Sequence, residues 1–348
     1  MPSRYIKSAT DYRHKRHTGK KAPPTGTDAD LNLVSMLPLF MDEDKARAFM
    51  ETKRWADGRK CPHCQCGETY KLTAKPGSKS PVRPGVYKCK ECRKQFTVRV
   101  GTVFEDSKLP IRVWLHAIFL MCTAKNGISS HELARALDIT QKSAWFVEHR
   151  VRESMKQEPM AGMLGKSGGI VEVDETWCGA RRPRIKGTRK GPTGAKAPVL
   201  ALVERGGNVV AYPIASTTAN ELKGAVRRLV DKSATIMTDE HRCYQGIGKE
   251  FDGGHLTVHH GSDEYVRQEK RGDEVVTVTT NSVEGFFSRI KRSHVGVHHH
   301  MSRKHLARYV TEAAFKYNSR RMADGSRMVA AIKGAEGRRL MYRQPVEK

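Results

Sequence analysis

The chain has 348 residues, enough for two or three compact units, and 38% of them are hydrophobic, which suits real cores but is low for one large one. Its 63 Lys and Arg against 37 Asp and Glu leave a formal charge of +26 spread along the chain, pointing to a polyanionic partner, nucleic acid first. No stretch approaches the ~18 apolar residues of a membrane span and the first residues lack the apolar core of a secretory leader, so no membrane association and a cytoplasmic location are expected.

Residues 1–30 are rich in Lys, Arg, Gly, Pro and Thr without apolar period and read as a basic disordered arm. Residues 31–107 combine a helical lead-in, with Ala46, Phe49 and Met50 at helical spacing, and a cysteine unit. There Cys61 and Cys64, then Cys89 and Cys92, form two Cys-x-x-Cys knuckles beside strand-like "VYKC" and "QFTVRV". Four thiolates at that spacing can close a tetrahedral structural zinc site that staples hairpins too small to hold a core. Cys66 could replace one ligand, but the x-x spacing favours Cys61 with Cys64.

Residues 108–157 read as three helices, the second opening with a Ser129-x-x-Glu132 capping box and the third starting at Thr140. A short turn between the last two makes a helix-turn-helix DNA-binding segment the preferred reading, against a plain packing bundle. Gln141, Lys142, His149, Arg150 and Arg152 are expected on its exposed side, and Gln141, Lys142 and Arg150 are the DNA-binding candidates there.

Residues 168–322 change character. "GIVEVDETW" reads as a strand, "PVLALVERGGNVVAYPIAS" as two strands turning at Gly206-Gly207, and "TANELKGAVRRLVDKS" as a helix with a Thr218-x-x-Glu221 capping box. "ATIMTDEH" and "HLTVHH" add two more strands, so this unit is expected to be an α/β domain with a mixed sheet. Residues 323–348 are left as a basic C-terminal tail.

Within this basic chain, Asp174 and Asp239 end predicted strands and Glu284 begins a helix. Carboxylates gathered at strand ends form a hard oxygen cage for Mg²⁺ or Mn²⁺, and two such ions serve phosphodiester chemistry. Each acid also has a structural reading: Asp174 in an ion pair, with Glu172 or Glu175 turned inward instead, and Asp239 as a helix N-cap. Asn281-x-x-Glu284 has capping-box spacing, yet helical geometry puts Glu284 and Lys291 on one face with Asn281 nearby. Charge favours Glu284 over neutral Asn281 as a metal ligand, with Asn281 as the cap or beside the metal. The loop "RRPRIKGTRKGPTGAK" after Asp174 offers Arg182, Arg184, Lys186, Arg189 and Lys190 to phosphates.

From about Lys60 to Arg321 the chain resembles the bacterial zinc-ribbon insertion-sequence transposases with an ISXO-like, DDE-type catalytic domain. The resemblance rests on "CPHC", "YKCKECRKQFTVRVGTVFEDS", "VEVDETW", "TDEHRCY", "TNSVEGFFSRIKR" and "GVHHHMSRKHLARYVTEAAFKYNSR". It implies a ribonuclease-H-like catalytic domain preceded by a zinc ribbon and a helix-turn-helix, action at the nucleoid, and metal-dependent cleavage and strand transfer of DNA. It implies Asp174 and Asp239 as the first two metal ligands, Glu284 or Asn281 at the third position, and Lys291 as the basic residue that follows. Pairing two element ends calls for a homodimer or higher assembly. The alternative is a non-catalytic zinc-ribbon and helix-turn-helix DNA-binding regulator whose acids are structural.

Overall fold

The computed structural model describes residues 27–28, 31–74, 81–158, 163–179, 196–259, 261, 264–272 and 274–341. Most of the expected N-terminal arm and the end of the C-terminal tail lie outside them, as do Arg182, Arg184, Lys186, Arg189 and Lys190.

The chain begins with α1 (Leu33–Met41) and α2 (Glu43–Arg54). Asn32 caps α1 by accepting from the Val34 and Ser35 N–H groups, and Asp42 stops α1 and caps α2 through the Asp44 and Lys45 N–H groups. Next come three short antiparallel strands, β1 (Thr69–Lys71), β2 (Tyr87–Cys89) and β3 (Gln95–Phe96), in the order β1-β2-β3. Their core is little more than Tyr87, Phe96 and two cysteines, closed by the edge of Trp55. Three helices follow: α3 (Ile111–Thr123), α4 (Ser130–Leu137) and α5 (Gln141–Ser154).

The second half contains β4 (Ile170–Cys178), β5 (Ala197–Glu204), β6 (Val209–Pro213), α6 (Ala219–Leu229), β7 (Thr235–Thr238) and β8 (His255–Thr257). After these stand the hairpin β9 (Arg267–Arg271) and β10 (Glu274–Val278), then α7 (Asn281–Ser293), α8 (Leu306–Asn318) and α9 (Asp324–Lys333). The five-stranded sheet has the order β6-β5-β4-β7-β8, antiparallel from β6 to β4 and parallel from β4 to β8. The expected mixed sheet is present. One face buries Val171, Val173, Leu200 and Leu202 against Leu222, Val226 and Leu229 of α6. The other buries Val199, Ala201 and Val203 against Phe286, Ile290 and Val310 of α7 and α8. Each fully buried aliphatic side chain of this kind contributes about 1.5–3 kcal/mol of burial free energy.

Several expectations are corrected. Residues 324–333 are no tail: Met328, Ala331 and Ile332 of α9 complete the core made by Met36 and Met50 of α1 and α2, Leu115 and Ile118 of α3, and Val147 and Val151 of α5. His149, Arg150 and Arg152 are buried rather than exposed, because α5 has helices on two sides, α3 and α9 on one and α8 on the other. Thr218 makes no side-chain cap; Glu221 turns back to accept from the Ala215 and Ser216 N–H groups instead. The β9–β10 hairpin was not anticipated, since "RQEKR" carries no apolar alternation.

Met328 is fully buried, so Met328→Ala should lower stability by about 2–5 kcal/mol in urea denaturation. A change below about 0.5 kcal/mol, the range of surface substitutions, would return this segment to a dispensable tail.

Candidate active site and metal centre

Strand alternation sends Val171 and Val173 under α6, while Glu172, Asp174 and Cys178 point to the α7 face. The parallel ladder pairs Val171 with Ile236 and Glu172 with Met237, so two residues further on Asp174 stands level with Asp239. Asp239 follows the end of β7 as expected, but Asp174 does not end its strand, because pairing with β5 carries β4 on to Cys178. Asp239 is not a helix cap; its Oδ1 accepts from the His241 N–H at 3.1 Å in a tight turn after β7.

The third acid is positioned by a residue whose role the sequence reading left open. Glu172 is fully buried, and its carboxylate accepts from the Ser282 and Val283 N–H groups at 2.7 and 3.1 Å and from the Ser282 hydroxyl at 2.9 Å. Arg205 donates to the same carboxylate through Nε at 3.0 Å and Nη2 at 2.9 Å, and also to the Thr277 and Thr279 carbonyls. Glu172 therefore caps α7 from the neighbouring strand, and Asn281 is not the N-cap: it is the first helical residue, with its side chain exposed. Glu284 is on the same exposed side, accepting from the Thr280 hydroxyl at 3.1 Å. Lys291, also exposed, lies where α7 passes Cys178, whose thiol burial pushes up to about 11 while Lys291 and Lys196 oppose that shift.

Charge shows which groups meet. Burial pushes the Asp174 carboxyl up to about 7; the Glu175 N–H at 2.7 Å works against this, and the carboxylates of Asp239, Glu175 and Glu284 add to it. Glu175 faces the α6 side, accepts from the Tyr244 hydroxyl at 2.7 Å, and is itself raised by burial. Tyr244 is fully buried, its hydroxyl held protonated by burial and by these acids. Glu172, Arg205 and Tyr244 are the functional supports that sequence reasoning missed; the alternation of Glu172 with Asp174 was the available signal. The arrangement concentrates negative charge at one end of the sheet in a strongly basic protein. Such a cluster is relieved by a proton or by a hard cation, and Asp174, Asp239 and Glu284 are the oxygen donors that could hold one. These three carboxylates are not drawn as tightly together as the thiols in the ribbon.

There, Cys61 and Cys92 have sulfurs 3.6 Å apart, as do Cys64 and Cys89, and all four lie within 4.8 Å of one another. A tetrahedral zinc with bonds of ~2.3 Å has sulfur–sulfur edges of about 3.8 Å, so the four fit a structural zinc. Burial works against a thiolate at Cys89, yet the Cys92 and Glu91 N–H groups and the Cys64 thiol hold it down to about 7. Cys66 stands aside, its sulfur accepting from the Glu68 N–H at 3.3 Å.

On α5, Gln141 and Lys142 are exposed, and Gln141 donates to Ser130 at 2.9 Å. Arg150 is spent internally on the Leu340 and Glu105 carbonyls at 2.9 and 2.8 Å, so it is corrected from a DNA contact to a structural tie.

Residues 166–318 match the ISXO2-like transposase domain, and residues 41–95 match the transposase zinc-ribbon domain. Both matches are to transposase domain families, one over the cysteine ribbon and one over the five-stranded sheet and its flanking helices. A protein of Halobacterium salinarum described as an uncharacterized protein in transposable element ISH50 is 26% identical over 296 residues, covering 79% of this chain and 91% of its own length. The transposase-domain match runs from before β4 to the end of α8 and so contains Asp174, Asp239, Asn281, Glu284 and Lys291. The ribbon match contains all four of these cysteines, whereas α3 to α5 fall between the two matches.

Two outcomes follow from the site. In metal-free protein, Asp174→Asn should stabilise the fold by about 1–3 kcal/mol at pH 8. The sign follows from the raised carboxyl: between about pH 4 and 7 the folded state holds a proton that the unfolded state has released, so wild-type stability falls through that window. The advantage of Asn should grow across it and level off above, in melts without divalent ions. Cys89→Ser should abolish stoichiometric zinc, read by a chelating dye after denaturation, and expose the ribbon to hydrogen exchange while α3 stays protected.

Proposed function

We propose that this chain is an insertion-sequence transposase that binds the ends of its element, cleaves the phosphodiester there and joins the freed 3′-hydroxyl to target DNA. The observation that carries the reading is the strand register that sets Asp174 level with Asp239 on the neighbouring strand, with the Glu284 carboxylate adding its charge at Asp174. The strand order β6-β5-β4-β7-β8, with helices on both faces, supports a ribonuclease-H-like catalytic domain.

The donor set is all carboxylate, which suits Mg²⁺ or Mn²⁺ held by Asp174, Asp239 and Glu284. Such ions supply charge stabilisation at the attacking and leaving oxygens of an in-line displacement. The chain's own residues do the rest. Glu172 and Arg205 hold the start of α7, Tyr244 fixes Glu175 behind Asp174, and Lys291 presents a cation to the phosphate backbone. Hydrolysis forms one bond from the water oxygen to phosphorus and breaks the bond to the 3′ oxygen, which leaves with a proton. Transfer then exchanges one phosphodiester for another, with no covalent protein–DNA intermediate.

The four-cysteine ribbon and the helix pair α4–α5, joined by residues 138–140 as in a helix-turn-helix, are the end-binding elements, with Gln141 and Lys142 at the exposed start of α5. The basic residues of 181–196, which follow Asp174 in sequence, add phosphate contacts. Two ends must be held together for transfer, so the active assembly is at least a homodimer. It works in the cytoplasm, on the nucleoid.

The test uses plasmid DNA carrying the sequence that flanks the gene. Asp174→Asn and Asp239→Asn should each lower Mg²⁺- or Mn²⁺-dependent nicking by at least about a hundredfold while binding persists. Glu284→Gln should abolish nicking and Asn281→Asp retain part of it; the reverse ranking moves the third position to Asn281. A folded wild-type protein that binds the ends and cuts nothing in either metal is the regulator instead.

A further inference from the structure

The chain has four tryptophans, and three of them are buried or half-buried with a ring partner: Trp55 against Tyr87 and Phe96, Trp114 against Phe104, and Trp145 against His149 and His305. Trp177 is the exception. It is 53% exposed, and no hydrogen bond, cation or ring contact engages its side chain among the described residues. A single exposed apolar side chain is ordinary on a protein surface, but this one stands on the part of β4 that outruns its neighbour.

The ladder from β4 to β7 ends with Glu172 opposite Met237, whereas the ladder to β5 continues through Asp174 to Cys178. From Asp174 onward β4 therefore has a strand on one side only, and the same extension carries both the first acid and the indole. Alternation puts Asp174 and Cys178 on the α7 face and Glu175 and Trp177 on the α6 face. Pairing of Trp177 with Pro198 of β5 fixes the backbone that bears the indole, and a stacking surface needs such a rigid mounting.

The surroundings suit one kind of ligand. The charges of Lys291 and Lys196 both reach the thiol of Cys178, the next residue, so two cations stand at the far end of the extension. Asp174 stands at its near end, three residues or about 10 Å before Trp177. A DNA strand advances about 3.4 Å per nucleotide, so a strand with its scissile phosphate at the acids and later phosphates at the lysines carries its bases past the indole within about three nucleotides. Every base has a π face, and an unoccupied aromatic surface takes it by stacking without any hydrogen bond.

We propose that Trp177 is a stacking platform for a base of the element end, within about three nucleotides of the scissile bond. The proposal rests on the transposase reading above and adds a residue that meets a base beside the cut. A base reaches this platform only by leaving its own stack, so Trp177 favours DNA that is opened next to the scissile bond.

The experiment first locates the cut by nicking of plasmid DNA carrying the gene-flanking sequence, with wild-type protein in Mg²⁺. Duplexes of that sequence are then made with a single abasic site at each of the three nucleotides on either side of the cut, and their binding is measured in Ca²⁺. Wild-type protein should lose about five- to a hundredfold in affinity at one of these positions. Trp177→Ala should show that loss on intact DNA and no further loss when the base at that position is missing, and Trp177→Phe should recover most of it. Trp177→Leu, which keeps apolar bulk without a π face, should match Trp177→Ala and reads the same effect if the alanine variant does not fold. No sensitive position in wild-type protein, wild-type affinity of the alanine and leucine variants on intact DNA, or an equal further loss at the abasic site in those variants overturns the platform, even while wild-type nicking upholds the transposase. If wild-type protein neither binds nor nicks this DNA, both readings fall together.

Discussion

The buried carboxylate of Glu172 holds the sheet-bearing half of this chain in one arrangement. A carboxylate out of water is strongly unfavourable unless its lone pairs are filled, and here five donors fill them: two from Arg205, two backbone N–H groups and the Ser282 hydroxyl. Because two of those donors are the orphan N–H groups at the start of α7, the same charge that needs compensation also completes a helix end. The consequence is rotational as well as energetic. With Ser282 and Val283 tied to β4 and with Phe286, Phe287 and Ile290 packed on the sheet, α7 turns Asn281, Glu284 and Lys291 outward along one side. Asp174, two residues beyond Glu172 on the same strand face, meets that side.

A second charged network ties the two halves together. Arg152 of α5 lies between Glu148 and Glu312, Lys316 completes the set at 2.6 Å from Glu312, and the Arg152 guanidinium stacks on Tyr309 at 4.2 Å. Burial pushes the Glu148 carboxyl up to about 7, with Arg152 pulling it back. Removing one member of such a buried set usually costs about 3–5 kcal/mol, so α5 is a fixed part of the junction with α8 rather than a detachable recognition helix. Its exposed start and its buried end therefore have separate roles, one facing outward with Gln141 and Lys142 and the other gripping α8.

Local patterns were the readable part of this sequence. The strand pattern of "GIVEVDETW", the turn at Gly206-Gly207 and the paired cysteine knuckles each rest on periodicity or spacing, and each appears as an element or cluster in the structure. What could not be read depends on a partner far along the chain. The buried side of α5 is set by α8, more than 150 residues on, and α9 finds its core against helices near the start. The hairpin β9–β10 pairs a valine-rich strand, EVVTV, with the polar RQEKR, and the polar partner leaves no hydrophobic period to detect. Capping at Asn281-x-x-Glu284 failed for the same reason, since the distant Glu172 takes the Ser282 and Val283 N–H groups, whereas at Thr218-x-x-Glu221 the Glu221 carboxylate turns to the Ala215 and Ser216 N–H groups just before the helix.

That failure sharpens the choice at the third acidic position. Spacing alone left Asn281 and Glu284 both explicable as a capping box, which would have removed any need for a chemical role. Once Glu172 takes over the cap, neither residue is required to end the helix, and both stay on its outward side. They then differ only in what they offer a cation. Asn281 brings a neutral oxygen, while Glu284 brings a charge that Asp174 already registers through the rise of its own carboxyl. A site whose neighbouring acids raise the proton affinity of Asp174 is the kind a hard cation stabilises, because binding removes repulsion as well as adding bonds. On that ground the capping interaction from β4 is what leaves Glu284 available as the third acid.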